Sequence, residues 1–554
     1  MVTARQNAYG NTTIRGLDGM DAVKTYIETI AEQREDEVKS NQQLADDLLK
    51  GMKAKGYYDA EINSETDDDK TNTVFTIVPG AVYKIGSVTL DQVPDGETVS
   101  LKAGDILDAM VVLEAQRALY RTINDKYCYY NLDVQHKVVL DTKAHKADIS
   151  FFVHGQPDAH FGPTVFEGAP DIEREYLANF VEYNEGDCWK SAKLEDTKAS
   201  LYATGLLASA QTDLPDTLPD DGIVPVIFNV KQRAFRSIKL GAGYNTSDGA
   251  GVSAEWEHRN ILGAGEKLSF RARLYEIVQT IGASFTKPFF LREDQSLLLE
   301  TGMNRENNDA YKELSYNASG SVLRHITDKT SVSLGLGYEL SRIEDEEGSR
   351  NFGLFSVPGS IDYDGRDDFL DPHKGWKFGA RVTPFFDTLG EADPFIKNRV
   401  TASTYFDLSD AAINPVLALR ASYGAIFGTE LSDVPASKRF YAGGGGSVRG
   451  FGYQEVGPRD SDNDPSGGLS VIEMTAEMRF KLSESFGAVA FVDAGQAYEE
   501  TTPDFGADLA IGAGVGARYY TDFGPLRFDI AVPVNHRDDS DSAFQIYLSI
   551  GQAF

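Results

Sequence analysis

The sequence predicts an array of three small α+β units, each β-α-α-β-β, followed by an antiparallel transmembrane β-barrel of about 16 strands. Three observations predict it. Helix-period hydrophobic patterns are confined to residues 1–233. Glycine density changes there: 15 of the 52 glycines precede residue 234 and 37 follow it. Beyond that point apolar and polar residues alternate in runs of about 9–11, the length of a tilted strand that crosses a bilayer. The expected divisions are residues 1–80, 81–157 and 158–233 for the units and 234–554 for the barrel.

Composition narrows the function classes. The chain of 554 residues carries 53 basic and 85 acidic side chains, a net charge of −32, with 41% hydrophobic residues. That balance disfavours nucleic acid as a partner, because a phosphate backbone is bound by cations. Mean hydropathy is −0.32. No stretch approaches the roughly 18 apolar residues of a spanning helix. A barrel needs no such run, since only alternate residues meet lipid and closure satisfies the backbone. Residues 1–10 are polar and show no signal peptide, so an exported protein would have lost its signal.

In the first unit Val23, Tyr26, Ile27 and Ile30 recur at helix spacing. Ser40 followed by Gln43 reads as a capping box opening a helix that buries Leu44, Leu48, Leu49 and Met52. Units repeat with a period of about 75 residues. Phe75–Gly80 followed by Tyr83, Ile85, Gly86 and Val88 corresponds to Ile149–Gly155 followed by Phe161, Gly162, Val165 and Phe166. Each is a strand, a turn, and the strand opening the next unit. A helix end and turn recur as Lys55-Gly56-Tyr57-Tyr58 and Ala203-Thr204-Gly205-Leu206; the second unit has Asp125-Lys126-Tyr127-Cys128 and lacks the glycine. Cys128 and Cys188 fall in the second and third units. They are expected either to form a disulfide between those units or to remain two separate thiols, which thiol counting distinguishes.

In the barrel, Ile472, Met474, Ala476, Met478 and Phe480 share one face of a strand, and Glu473, Thr475, Glu477 and Arg479 the other. Ile511, Ala513, Val515, Ala517 and Tyr519 oppose Gly512, Gly514, Gly516 and Arg518, a polar, glycine-bearing face that suits a wet lumen. Leu526, Phe528, Ile530, Val532 and Val534 oppose Arg527, Asp529, Ala531 and Pro533. Phe544, Ile546, Leu548, Ile550 and Phe554 share the final face. A soluble sandwich alternates too; strand length, a charged opposite face and an aromatic chain end favour the membrane.

No metal or catalytic set is evident. Asp460-x-Asp462-x-Asp464 resembles half a calcium loop, but Pro465 and Val471 occupy the glycine and glutamate positions, so a solvated acidic loop is expected. The eight histidines lack ligand spacing, and neither a G-x-S-x-G elbow nor a P-loop occurs. The expectation is no enzyme, no cofactor and no metal.

The segment from Arg439 to Phe451, containing Gly443-Gly444-Gly445-Gly446-Ser447-Val448-Arg449-Gly450-Phe451, resembles the signature of the outer-membrane assembly superfamily with periplasmic POTRA repeats. Further matches follow. Trp256-Glu257-His258-Arg259-Asn260 with Gly263 and Gly265 resembles an early-barrel motif, and Arg366-Asp367-Asp368 with Asp371-Pro372 and Gly375 a mid-barrel motif. Phe491-Val492-Asp493-Ala494-Gly495, and Gly524-Pro525-Leu526-Arg527-Phe528-Asp529 with Pro533, resemble late strands. Within the superfamily the resemblance is to the TamA family of outer-membrane subunits of the translocation and assembly module. Three POTRA-like units, Gly56-Tyr57-Tyr58, and the run from Phe161-Gly162 through Phe166-Glu167-Gly168 to Glu175-Tyr176-Leu177 carry it.

The resemblance implies an outer-membrane protein with N-terminal domains in the periplasm, in contact with outer-membrane lipid. It implies unfolded outer-membrane client proteins and a TamB-like inner-membrane-anchored periplasmic protein as partners, with no nucleic acid. The Val448-Arg449-Gly450-Phe451 tip would fold into the lumen. There Arg449 needs a buried anionic partner; alternation offers Glu477 and the family pattern Asp493. A first strand near Ser237–Tyr244, including Leu240 and Tyr244, would meet a last strand with Phe544, Ile546, Leu548 and Phe554 in a weak lateral seam. Client β-barrel or autotransporter strands would enter there by β-augmentation. The alternatives are a dedicated secretion pore through the lumen and a plugged scaffold.

Overall fold

The computed structural model describes residues 11–35, 41–66, 72–245, 249–408, 415–504, 506, 508–521, 524–535 and 542–550. Ser40 of the expected capping box, the acidic run 67–69 and Phe554 lie outside the described residues. The chain forms two compact bodies. One comprises residues 1–168, 180–200 and 209–230; the other comprises 169–179, 201–208 and 231–554.

In the first body each unit centres on a three-stranded sheet with its last strand in the middle. The first sheet contains Asn11–Arg15, Glu61–Thr66 and Asn72–Val78. Its opening strand runs parallel to the last and its second antiparallel. Helices Asp21–Glu35 and Asn41–Ala54 cover it, burying Ile27, Leu48 and Met52 against Phe75 and Ile77. The helical periodicity read from the sequence is this apolar stripe.

The second sheet, Lys84–Asp91, Tyr130–Asp141 and Lys146–Gln156, repeats the topology. Its one helix is Ala109–Lys126. The expected first helix is replaced by an irregular segment holding Pro94, Gly96 and Gly104, residues that do not sustain a helix. The third sheet is His160–Glu167, Leu207–Asp213 and Ile223–Gln232; two helices, Arg174–Ala178 and Ser191–Ala203, fall between its first and second strands in sequence, the shorter belonging to the second body.

The units are joined through specific backbone groups. Gly56, at φ 89°, accepts the N–H of Tyr83 at 2.8 Å, and a Cβ there would lie 2.6 Å from the carbonyl oxygen of Leu107. Lys55 adds an ion pair with Asp108 at 2.8 Å. Cys128 and Cys188 are disulfide-bonded. Beside them Lys190 donates to the carbonyls of Asn124, Asp125 and Tyr127, a cation placed at the C-terminal end of helix Ala109–Lys126.

The second body is one sheet of 17 strand segments in sequence order, from Arg236–Asn245 to Gln545–Ile550. Gly348–Ser356 and Gly359–Asp364 both pair with Thr330–Asp345 on one side and Gly375–Asp387 on the other. They are two halves of one strand, interrupted at Val357-Pro358, so the 17 segments make 16 strands. Proline has no N–H for a ladder, and the break falls there. Strands Lys312–Thr327 and Thr330–Asp345 reach 16 residues, longer than expected.

Alternation follows the sequence. Along Ser470–Lys481, Glu473, Thr475, Glu477 and Arg479 are buried inside, while Met474 on the outer face is exposed. Leu240, Val515, Ile530, Val532, Ile546 and Leu548 are exposed on the outer face, where lipid would cover them.

The early-barrel motif builds the turn after the second strand, Gly249–His258. Asn260 donates to the carbonyl of Asp171 and accepts from Gly265, each at 2.7 Å, and Gly263 accepts from Glu173 at 2.8 Å. The segment 169–179 is thereby held on the barrel turn. Burial there pushes the Tyr176 phenol up to about 12. The mid-barrel motif is also a turn. One Asp367 oxygen accepts the N–H groups of Asp368, His373 and Lys374, and one Asp368 oxygen those of Leu370 and Asp371. The expected acidic loop at Asp460 is likewise a turn, its carboxylate accepting from Asp462 and Asp464.

Candidate functional site

The connection between strands Pro415–Phe427 and Ser470–Lys481 turns back into the lumen. Its stem is anchored on several strands. Ser437 donates to Glu313 at 2.9 Å, Lys438 pairs with Glu339 at 2.7 Å, and Lys397 donates to the carbonyl of Lys438 at 2.7 Å. Arg439, buried, spans the stem by donating to the carbonyls of Val434 and Ser466 at 3.0 Å each. The apolar residues Phe440, Val448, Phe451, Val456 and Leu469 then pack as a small core inside the barrel.

The tip is a buried polar cluster. Arg449 is 2% exposed, and Glu477, Asp493 and Asp529 are completely buried around it. Its Nε and Nη2 engage both oxygens of Asp493, at 2.6 and 3.0 Å. Its Nη1 reaches Glu477 at 3.1 Å and Asp529 at 3.0 Å. The backbone N–H of Arg449 also donates to Asp493, at 3.1 Å. The guanidinium lies 3.3 Å from the centroid of the Phe491 ring. A bidentate fork on one carboxylate with two further acceptors fixes position and orientation together.

A second ring of cations surrounds the acids. Arg479 pairs with Glu477 at 2.8 Å, Arg527 with Asp529 at 3.3 Å, and Arg518 with Asp529. Four guanidiniums thus share three carboxylates. A buried charge is costly unless compensated, and here the compensation is mutual.

The barrel wall is shaped for this tip. Gly450 has φ 104°, and a Cβ on it would lie 2.7 Å from the carbonyl oxygen of Val532. A Cβ on Gly512 would strike the carbonyl oxygen of Arg449. The glycine face of strand Ala510–Tyr519 is therefore closely packed at Gly512, not wet as its composition suggested. Tyr547, 2% exposed, points inward from the last strand. Its hydroxyl accepts from the N–H of Gly450 at 3.1 Å and donates to the carbonyl of Phe451 at 3.2 Å.

The structure brings Val448, Arg449, Gly450, Phe451, Glu477 and Asp493 together. Sequence reasoning missed Asp529 and Tyr547 as members. Both sat on the inward face of their alternating strands, and Asp529 also lay in the late-strand motif Gly524–Asp529.

Strands Arg236–Asn245 and Gln545–Ile550 are the two edges of the sheet. Their Cα atoms approach within 8 Å, yet no backbone ladder joins them among the described residues. Leu240 and Leu548 are exposed on the outer face, as are Ile546 and, just before the strand, Phe544. Tyr244 is in register with Ala250 of the second strand. The last strand pairs with its neighbour over six residues, from Leu526↔Ile550 to Ala531↔Gln545.

Comparison with known proteins places these features. The Omp85 superfamily domain matches residues 260–554. An outer membrane protein assembly factor BamA from Nitratidesulfovibrio vulgaris is 25% identical over 610 residues, covering 100% of this chain and 76% of its own. BamA from Neisseria meningitidis is 22% identical, covering 89% of this chain and 70% of its own. The solved structure of Haemophilus ducreyi BamA lacking POTRA domains 1–3 superposes with a TM-score of 0.72 at 20% identity, over 84% of this chain and 99% of that one. That likeness is one of fold.

Proposed function

Because the chain belongs to the Omp85 superfamily, we propose that it is a non-enzymatic factor that inserts or exports client outer-membrane proteins through the seam between its first and last barrel strands. The chain is an outer-membrane protein with periplasmic N-terminal domains, of a family engaged in outer-membrane protein assembly or secretion. We assign residues 1–80, 81–157 and 158–233 to the periplasm and 234–554 to the barrel.

The observation that carries the seam reading is the missing ladder between Arg236–Asn245 and Gln545–Ile550 among the described residues. Exposed strand edges template pairing with another chain. A client strand, from a β-barrel or an autotransporter, would add to one edge while lipid stays against Leu240, Ile546 and Leu548. The Arg449 tip acts as a lock: it braces the three late strands that carry Glu477, Asp493 and Asp529 while the seam opens beside them.

A cysteine pair placed across the two edge strands tests this. Oxidation is expected to abolish client insertion into vesicles and reduction to restore it; normal insertion by the oxidised protein contradicts the seam mechanism.

Within the superfamily we propose a TamA-type role with a TamB-like periplasmic partner, supported by Gly56-Tyr57-Tyr58 and the Phe161–Leu177 run. The relatives named above are BamA proteins. Pull-down of the tagged chain from outer membranes decides the point, since co-purification of the TamB-like protein is expected and its absence argues for a BamA-type role.

A further inference from the structure

Away from the loop tip, the lumen holds a cavity of about 660 Å³ between strands Gly359–Asp364 and Pro415–Phe427. Lys377, Arg381, Arg399 and Arg420 line it, drawn from three successive strands. Arg381 and Arg399 are direct cross-strand partners. Like charges in that register repel at the short distance between neighbouring strands. Arg399 is offset by its ion pair with Glu473, and Arg420 gives one N–H to the carbonyl of Gly446 at 3.2 Å. Arg381 forms no ion pair among the described residues.

The same wall also carries carboxylates. Asp364 is held by Arg366 at 2.6 and 2.9 Å, and Asp362 accepts from Ser360 at 3.2 Å. Asp328 sits on the turn between the two longest strands. The cations still exceed the acids, in a chain whose net charge is −32. An uncompensated arginine facing another across a ladder is a cost to the fold that an anionic occupant would relieve.

We propose that this cavity binds a carboxylate-rich polypeptide segment, with a carboxylate clamped between Arg381 and Arg399 and further ones taken by Lys377 and Arg420. Two guanidiniums on adjacent strands match the planar acceptor geometry of a carboxylate. Beside the cations the wall carries the hydroxyls of Ser331, Ser360, Thr401 and Ser403, which can donate to further carboxylate oxygens, and it also includes Tyr363 and Phe378. The volume suits a ligand of several groups, larger than one phosphate. The site lies on mid-barrel strands and does not require that the seam open.

The test uses the full chain in detergent micelles and fluorescein-labelled deca-glutamate, with deca-glutamine as control, read by anisotropy at low salt. The expected result is binding of deca-glutamate alone, weakening as salt rises, and at least tenfold weaker in Arg381→Gln. The overall negative charge repels this probe, so binding reports a local site. Equal affinity in Arg381→Gln overturns the proposal. So does displacement of the peptide by an equal concentration of inorganic phosphate or anionic phospholipid, which would make the site one for phosphate or lipid. If Arg381→Gln loses the heat-resistant mobility of a folded barrel, Lys377→Gln takes its place, and unchanged affinity there is equally fatal.

Discussion

The N–H of Gly450 donates to the phenolic oxygen of Tyr547 at 3.1 Å. Gly450 belongs to the loop tip and Tyr547 to the last strand, one edge of the sheet. The same hydroxyl donates to the carbonyl of Phe451 at 3.2 Å. The tip is therefore hydrogen-bonded directly to one of the two edge strands of the proposed seam. Tyr547→Phe keeps the ring and removes the hydroxyl that both backbone groups engage. Each buried unsatisfied group costs about 1–3 kcal/mol. We expect faster proteolysis of residues 428–469 and easier opening of the last strand, read by hydrogen exchange in Gln545–Ile550. Exchange equal to wild type there denies the coupling.

Among the described residues Arg449 is the one cation that touches Glu477, Asp493 and Asp529 together. Arg449→Ala leaves Glu477 and Asp529 with their outer arginines and Asp493 with no ion pair among the described residues, and loss of one partner from a buried pair costs about 3–5 kcal/mol. Arg449→Lys keeps the charge but loses the fork on Asp493 and is expected to fall between. Thermal unfolding should rank wild type, Lys, then Ala. A loop as protease-resistant in the Ala variant as in wild type contradicts the lock.

Much of this was legible in the sequence. Glu477 was placed inside by strict alternation with Met474 and Met478, and Arg449 by its motif. What alternation cannot supply is which strands meet which loop. Asp529 stood on an inward face beside Arg527, but only the barrel's closure carries its strand to the tip. Tyr547 was hidden because its neighbours Ile546 and Leu548 dominate the strand. Gly512 was read as wet because a glycine's composition is the same whether water or a carbonyl occupies the space above it. Val357-Pro358 breaks one strand into two without changing the strand count. In the second unit, the internal repeat predicted a first helix where Pro94, Gly96 and Gly104 prevent one.

The Cys128–Cys188 bond closes a separation of 60 residues. Constraining such a loop in the unfolded chain is worth about 2–4 kcal/mol. Changing both cysteines to serine should lower the unfolding midpoint of the N-terminal body and increase proteolysis between the second and third units. Lys190 and its three carbonyl acceptors remain, so the junction should loosen without the units unfolding. Mass spectrometry of the unreduced protein checks the premise: two free thiols would be incompatible with it.

The Asp367–Asp368 turn should be sensitive to acid. N–H groups of Asp371 and Leu370 hold the Asp368 carboxyl below its ordinary value. A carboxylate whose folded value is depressed contributes stability above its unfolded value, near 3.9, and loses it as pH falls through the folded one. Exchange of the Leu370 and Asp371 amides, corrected for intrinsic rates, should therefore rise as the pH is lowered beneath that range. Asp368→Asn retains a neutral acceptor and should show weaker protection at neutral pH with a flat acid response. An equally steep response in that variant assigns the titration elsewhere.

Gly512 gives the sharpest test of whether the tip and wall are fitted to each other. A methyl group there would lie on the Arg449 carbonyl oxygen, and every atom it would meet is backbone rather than a movable side chain. Overpacking of this kind costs about 1–3 kcal/mol when neighbours can shift, and more when they are backbone. The alternative is expulsion of the tip, which would separate Arg449 from Asp493. Gly446→Ala is the control, because a Cβ at Gly446 meets nothing within 4 Å. Gly512→Ala is expected to expose the loop to protease and to lower the unfolding midpoint, with Gly446→Ala close to wild type. Equal behaviour of the two variants would mean that the tip is not held against strand Ala510–Tyr519, and the lock would then have to rest on the charge cluster alone.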